Sequence, residues 1–381
     1  MAGGEPGQAD TVEEEATRIM VAPRESRMAA DERVHFLEVV EGLEPGRRFV
    51  VDPAGSTIGR KAPAEIALPD SEISRAHCRV SVRGEELWAV DLGSTNGTFL
   101  NGERVSQAVP VPAGAILQVG GQWLKYEWRT RQEWLQSDEL DRDLAKATSY
   151  VNALLPEPLL AGAVRADWLY HPCAQLGGDA FGYGFLPDGK FAWYLMDVCG
   201  HGAGAAMHSI SVMNLLRQRT LPEADKSRPA EVLGVLNDMY QMDSHDGMYF
   251  TIWYGVFDPA ARTLEYASAG HHPAYLIDAE RTEATPLRTP SRMIGALPGW
   301  GYASQTVTVP PGASIHLFSD GVFEVVTIEG VQRTLGDFLP LLLEPPVEGK
   351  SECGRLFDEV TRIARPGGLD DDFTMVVTTF D

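Results

Sequence analysis

Residues 191–219 read FAWYLMDVCGHGAGAAMHSISVMNLLRQR. The apolar run Phe191–Met196 has the character of a buried strand, and it ends on an acid, Asp197. Glycines at 200 and 202 turn the chain, and a segment of helical pattern follows from Gly204. SIHLFSD, residues 314–320, likewise runs hydrophobically into Asp320. In both places a buried strand delivers a carboxylate to the rim of a core.

Working outward, VRADWLYHP, YFTIWYGVF, TLEYAS and FTMVVTTF also read as strands, and PAEVLGVLNDMYQ and KSECGRLFDEVTRIA read as helices. The strands are not followed one by one by helices. An α+β layered domain therefore fits residues 161–381 better than a doubly wound parallel sheet.

The whole chain has 381 residues, which at roughly 100–200 per domain predicts two or three domains. Lys plus Arg 32 against Asp plus Glu 54 gives a net charge of −22. Such a surface repels nucleic acid and anionic membranes and favours cations and cationic peptides. No stretch approaches the ~18–20 apolar residues of a membrane span, and the N-terminus has no signal-peptide pattern. Cys78, Cys173, Cys199 and Cys353 have no paired spacing, so a reduced, cytoplasmic protein is expected.

Residues 1–33, with the acidic run Glu13–Glu15, read as a flexible arm. Residues 34–128 alternate short β-rich runs with Gly, Pro, Asn and Asp, the pattern of an all-β sandwich. Residues 129–160 form a helical linker, with no Gly or Pro from Arg129 until Pro156. Leu140, Leu144, Ala147, Val151 and Leu154 recur at heptad steps over about two heptads. This seam serves either a homodimer through residues 131–155 or packing of the helix on its own domain.

Asp179, Asp197, Asp320 and the pair Asp371/Asp372 are expected where strands end and tight turns begin. Converging carboxylates with no matching Lys or Arg ionise together only if a cation neutralises them. Oxygen ligands without His or Cys suit Mg2+ or Mn2+, and two such ions ~3.5–4 Å apart support phosphoryl displacement. Two motifs argue against other chemistries. Gly200–Ala205 satisfies G-x-G-x-x-A, but Asp197 would repel a pyrophosphate. Cys78 lacks the Arg spacing and glycines of a cysteine phosphatase loop. His201, His271 and His272 are either proton donors to a leaving group or structural; the structural role is favoured.

GGDAF, DVCGHG, SAGHHPAYL, SDGVFE and DDFT occur in this order. Over about residues 145–381 they resemble the PPM-type metal-dependent protein phosphatases, in the branch of stage II sporulation protein E. The resemblance implies an αββα sandwich that hydrolyses phosphoserine or phosphothreonine with two Mn2+ or Mg2+ ions. It assigns metal ligation to Asp179, Asp197, the Val198 carbonyl, Asp320 and Asp371, with Asp372 the alternative if the last motif slips by one. The LLPEPL element after the linker helix resembles the family's regulatory switch. Gly182 stands where the branch usually has a second Asp, which raises an alternative: a phosphothreonine-reading scaffold with an inactive phosphatase domain.

In the N-terminal region STIGRK, SEISRAHCRV and DLGSTNGTFLNG occur in that order. Together they resemble a forkhead-associated (FHA) domain, a β-sandwich that binds phosphothreonine peptides through loops at one end. The resemblance assigns phosphate contact to Arg60 and Ser74 and loop and peptide-backbone contacts to Thr95 and Asn96. Arg75 is an additional contact and His77 an internal brace. A phosphate dianion needs a guanidinium and short donors, which these loops supply.

The resulting expectation is a divalent-metal-dependent serine/threonine phosphatase targeted by an FHA domain. Its partners are a phosphothreonine protein, a phosphoprotein substrate and a serine/threonine kinase. Thr17, in EEEATRIM, is open to a kinase, with Ile19 and Met20 as apolar anchors; phosphorylated, it is expected to dock in the FHA site. Thr11, followed by Glu14, is the weaker alternative.

Overall fold

A computed structural model describes residues 32–200, 202–217, 221, 224–365 and 368–381. Thr11, Thr17, Ile19, Met20 and His201 lie outside the described residues. The chain divides into two compact units, Met1–Asp138 and Glu139–Asp381.

Among the described residues the first unit carries eleven strands: β1 (Arg33–Glu41), β2 (Arg48–Val50), β3 (Ser56–Gly59), β4 (Ile66–Ala67), β5 (Cys78–Arg83) and β6 (Glu86–Asp91). There follow β7 (Thr98–Leu100), β8 (Glu103–Arg104), β9 (Val109–Val111), β10 (Ile116–Val119) and β11 (Gln122–Thr130). They form one sheet in the order β2-β1-β11-β10-β7-β8 and another in the order β4-β3-β5-β6-β9. Leu37, Val39, Ile58, Val80, Leu117 and Leu124 pack between them, so alternate residues of each strand face a shared core. This is the expected sandwich.

Helix α1 (Arg131–Asn152) starts in the first unit and continues in the second. In its first turn, Trp134 lies 4.8 Å from Phe36, ring centre to ring centre. Val151 is buried with Leu176 and Ala206, and Leu144 and Ala147 pack beside them. Leu154 joins the core of the second unit, whereas Leu140 is 59% exposed. The heptad seam is therefore split: its C-terminal part is core, and Leu140 is surface.

The second unit contains β12 (Val164–His171), β13 (Ala180–Phe185), β14 (Phe191–Val198), α2 (Ala203–Arg217) and α3 (Pro229–Met239). Next come β15 (Phe250–Asp258), β16 (Thr263–Ala269), β17 (Ala274–Ile277), β18 (Ala284–Leu287), β19 (Gln305–Thr308) and β20 (Ser314–Phe318). The unit closes with α4 (Leu335–Leu342), α5 (Glu352–Ile363) and β21 (Phe373–Phe380). One sheet runs β13-β14-β15-β16-β19 and the other β12-β21-β20-β17-β18. Trp193, Trp253, Phe257 and Phe380 fill the space between the sheets. The outer face of the first sheet packs on α2 and α3, and that of the second on α4 and α5. The result is the αββα sandwich. β14 is buried along nearly its whole length because both of its faces are covered, which is why FAWYLM shows no alternation.

Candidate functional sites

Alternation along β14 places Tyr194, Met196 and Val198 against the helices and Trp193 and Leu195 between the sheets. Asp197 falls in the second set, at the end of the strand. Asp320 follows β20 after Ser319, in a 3-10 turn (Asp320–Val322), and Asp371 and Asp372 precede β21. Asp179 does not end a strand: it precedes β13, a strand absent from the sequence reading. The two adjacent glycines explain its approach. A Cβ at Gly178 would sit 2.8 Å from the Val198 carbonyl oxygen, so only glycine lets this loop lie against the end of β14.

The acids come together and act on one another. Burial, then Asp320, Asp371, Asp372 and Glu324, push the Asp197 carboxyl up to about 7 from an ordinary 3.8. Burial, then Asp371 and Glu324, push Asp320 up to about 6. Asp179 is raised well above the ordinary range by burial, Asp197 and Asp372, although Thr374 Oγ1 donates to it at 2.5 Å. Asp320 raises Asp197, and Asp197 raises Asp179. An oxygen-only set with this repulsion suits hard divalent ions.

Asp371 and Asp372 differ. Asp371 is exposed and acts on both Asp197 and Asp320. Asp372 is buried, and its carboxylate accepts the Cys173 N–H at 2.9 Å and the Asp179 N–H at 3.3 Å. Asp372 thus braces the Asp179 loop. Its main chain is held in turn by Ser319, whose hydroxyl donates to the Asp372 carbonyl at 2.9 Å.

Two neighbours were not singled out from the sequence. Glu324 lies one turn beyond Asp320, its N–H donating to the Asp320 carbonyl. Cys173 has its sulfur within 4.8 Å of ligand atoms of Asp371 and Asp372, and burial followed by Asp372 pushes its thiol up to about 12. The SDGVFE motif contains Glu324, but only the turn after β20 brings it near the other acids. Nothing in the cysteine spacing points to Cys173.

The first unit gathers its polar residues on three loops. Arg60 follows β3, and its N–H donates to the Ser74 carbonyl at 3.0 Å. The Ser74 hydroxyl accepts the Thr95 N–H at 3.1 Å and lies 3.4 Å from the Thr95 hydroxyl. Asn96 Nδ2 donates to the Glu72 carbonyl at 2.8 Å. The side chains of Arg60 and Arg75 are exposed and take no hydrogen bond or ion pair among the described residues.

His77 is fully buried beneath this cluster: its Nδ1 accepts the Ser74 N–H at 3.1 Å and its Nε2 donates to the Gly97 carbonyl at 3.0 Å. It is the brace the sequence predicted. Asp91, which carried no predicted role, organises the last loop. It accepts from the N–H groups of Gly93 and Ser94 and the hydroxyls of Ser94 and Thr98. Burial raises its carboxyl, but the bonds from Ser94 and Thr98 prevail and hold it below the usual range.

The other chemistries weighed from the sequence fail on geometry. β13, β14, β15 and β16 pair antiparallel, so the glycines after β14 do not stand in a dinucleotide-binding βαβ unit. Cys78 is buried in β5 and its thiol is pushed up to about 12 by burial. His271 is buried between the Thr251 hydroxyl (2.8 Å) and the Phe318 carbonyl (3.1 Å), and burial lowers it well below its ordinary range. His272 is lowered to about 4 by burial. Both are neutral and structural. Among the described residues no helix is long and apolar enough to cross a membrane.

Fold and sites together define the class: an αββα sandwich with acids gathered at its strand ends, preceded by a β-sandwich whose loops present hydroxyls and arginines. The chain belongs to the Stage II sporulation protein E (SpoIIE) family, which it matches over residues 187–381, and residues 56–120 match the FHA domain family. The phosphoserine phosphatase RsbP of Bacillus subtilis is 28% identical over 184 residues, 48% of this chain and 45% of that protein. The FHA domain-containing protein FhaB of Mycobacterium tuberculosis is 38% identical over 103 residues, 26% of this chain and 66% of that protein. The chain thus spans about half of RsbP and about two thirds of FhaB. Among solved structures, the SiaA-PP2C domain of Pseudomonas aeruginosa aligns with a TM-score of 0.56 at 20% identity, covering 65% of this chain and 99% of that domain. The two share a fold.

Proposed function

We propose that this protein is a divalent-metal-dependent serine/threonine phosphatase, directed to its targets by phosphothreonine. The carrying observation is that Asp179, Asp197 and Asp320 are all raised by burial and by neighbouring acids of one cluster. Two Mn2+ or Mg2+ ions, when bound, supply the charge that lets these acids ionise together and the Lewis acidity that phosphoryl transfer to water needs. Asp197, on which the most acids act, would be one of the groups that hold the ions. Asp179, the Val198 carbonyl, Asp320 and Asp371 are the remaining ligands, and Asp372 positions Asp179 by accepting its N–H.

Gly182 does not remove an acid from this cluster. It pairs across the strands with Tyr194, on the helix-facing side of β13, and a Cβ there would meet the Tyr194 hydroxyl. This favours an active enzyme over an inactive phosphothreonine-reading scaffold.

Arg60 and Arg75 supply guanidinium groups that have no partner among the described residues, Ser74 and Thr95 supply hydroxyls, and Asn96 steadies the peptide-facing loop. Residues 34–128 are the FHA domain, 129–160 the linker and 161–381 the phosphatase, with 1–33 as an arm whose Thr17, once phosphorylated, competes for the same loops. The protein works in the cytoplasm beside a serine/threonine kinase and forms a dimer through residues 131–155. The experiment is phosphate release from a phosphoserine peptide by the full chain, with Mn2+ and with excess chelator. Turnover that persists in chelator overturns the metal mechanism, and no turnover with either ion leaves the scaffold.

A further inference from the structure

A third arginine stands at the FHA loops. Asn101 and Gly102, both at positive φ, turn the chain tightly after β7, and β8 returns so that Arg104 pairs with Phe99. From there the Arg104 guanidinium reaches across to Gly97, in the loop that carries Thr95 and Asn96. A Cβ at residue 97 would stand 3.0 Å from Arg104 Nε and 3.3 Å from its Cζ. Glycine therefore leaves open the place that the guanidinium takes.

The loop beneath that guanidinium is pinned on both sides. The Gly97 N–H donates to the Ser94 hydroxyl at 2.9 Å, and the Gly97 carbonyl accepts from His77 Nε2 at 3.0 Å. His77 also accepts the Ser74 N–H, so one buried ring ties Gly97 to the serine of the phosphate site. Gly97 is two residues beyond Thr95, which puts their Cα atoms within about 7 Å of each other. Arg104 is exposed and takes no hydrogen bond or ion pair among the described residues. Its neighbour Glu103 pairs with Leu100, and alternation sends it to the other face of the ribbon.

We propose that Arg104 is a specificity-determining residue of the FHA unit, which selects phosphothreonine peptides with an acidic run just before the phosphothreonine. Its guanidinium receives a carboxylate of the peptide while Arg60 and Ser74 hold the phosphate, so the inference rests on the phosphothreonine reading of those two residues. An extended peptide covers about 3.3 Å per residue, so a carboxylate two to four residues from the phosphothreonine stands about 7–13 Å away, the range in which Arg104 lies. The chain carries such a sequence itself: Glu13, Glu14 and Glu15 stand four, three and two positions before Thr17. The acidic run thereby gains a role in docking beyond separating the threonine from the domain.

The test is calorimetric titration of the full chain with a peptide of residues 12–22 phosphorylated at Thr17, and with the same phosphopeptide carrying Ala in place of Glu13, Glu14 and Glu15. The native chain is expected to bind the acidic peptide about 5-fold more tightly, the upper end for an exposed ion pair. Arg104→Gln, at an exposed side chain, is expected to leave the melting temperature in place and cut that ratio to about 2-fold or less. In about 0.5 M salt the native ratio is expected to shrink likewise. Equal affinity of the native chain for the two phosphopeptides overturns the selection by Arg104. So does a ratio that survives undiminished in Arg104→Gln or in high salt. Failure of the native chain to bind either phosphopeptide more tightly than the unphosphorylated one overturns instead the phosphothreonine reading beneath it.

Discussion

In the FHA loops, Ser74, Thr95 and Asn96 are held by hydrogen bonds to neighbouring loops, and His77 and Asp91 are fully engaged beneath them. In the second unit, Asp320 acts on Asp197 and Asp197 on Asp179, and burial and neighbouring acids raise all three. The first site is complete as the chain folds and presents exposed cations. The second is electrostatically unfinished and needs a cation to settle it. Under the proposed function a phosphoester would meet positive charge in both places, supplied by side chains in the first unit and by bound cations in the second. That difference predicts how each site responds to mutation, pH and metal.

The largest expected effect is on the unfinished site. Asp197→Asn should lower Mn2+-dependent phosphopeptide hydrolysis by more than about 100-fold, since it removes a proposed metal ligand. The same change deletes a repelled buried charge, so the metal-free protein should melt no lower than the native one. Turnover within a few-fold of native breaks the comparison at its root.

Arg60→Ala tests the completed site. Loss of one charge-assisted contact to phosphate is worth about 1.5–3 kcal/mol, which is roughly 10–150-fold in affinity. Calorimetry with a phosphothreonine peptide should show that loss with hydrolysis of a short phosphoserine substrate intact. Equal affinity of the native protein for the unphosphorylated peptide would remove phosphate reading altogether.

The pH response should have opposite signs in the two units. Asp197 and Asp320 titrate in the folded protein at about 7 and about 6, above their ordinary 3.8. Between those values the folded state holds more protons than the unfolded state, so metal-free stability falls as pH rises from about 4 to about 7. Asp91 is depressed, so its contribution is present above its ordinary value and lost as pH falls through its folded value. Thermal melts in chelator at pH 5 and pH 7.5 should therefore show the phosphatase transition several degrees lower at the higher pH. Saturating Mn2+ should abolish the difference. A metal-free transition indifferent to pH would mean that the acids do not repel as described.

The same contrast explains what could be read from sequence. The FHA motifs are contiguous stretches of loop, so Arg60, Ser74, Thr95 and Asn96 were legible together. Asp91 looked like any acid before a turn, because its role lies in four hydrogen bonds that exist only once the loop has closed. FAWYLMD and SIHLFSD announced Asp197 and Asp320 because burial on both faces leaves a continuous apolar run. β13, with Gly182 and Gly184 among its six residues, has no such run and takes its strand form from pairing with β14. α4 carries Pro340 in its interior and is held by burial of Phe338 and Leu342, so local propensity argues against it. Glu324 and Cys173 join the acids only through tertiary approach.

The smallest effect concerns the helix between the two regions, where one heptad seam divides into two environments. Leu144 packs against Val151, Leu176 and Ala206, so Leu144→Glu buries a charge among apolar neighbours and should cost on the order of 1–3 kcal/mol of stability in urea unfolding. Leu140, one turn earlier, is 59% exposed, and Leu140→Glu should change the stability of a single chain by no more than about 0.5 kcal/mol. A difference in sedimentation between the two native-like proteins therefore isolates association from folding. If residues 131–155 pair two chains, Leu140→Glu places like charges across the seam and should lower the sedimentation mass while the melting temperature stays put. An unchanged mass at micromolar concentration would leave Leu140 a surface residue and confine the seam to the core it forms with Leu176 and Ala206.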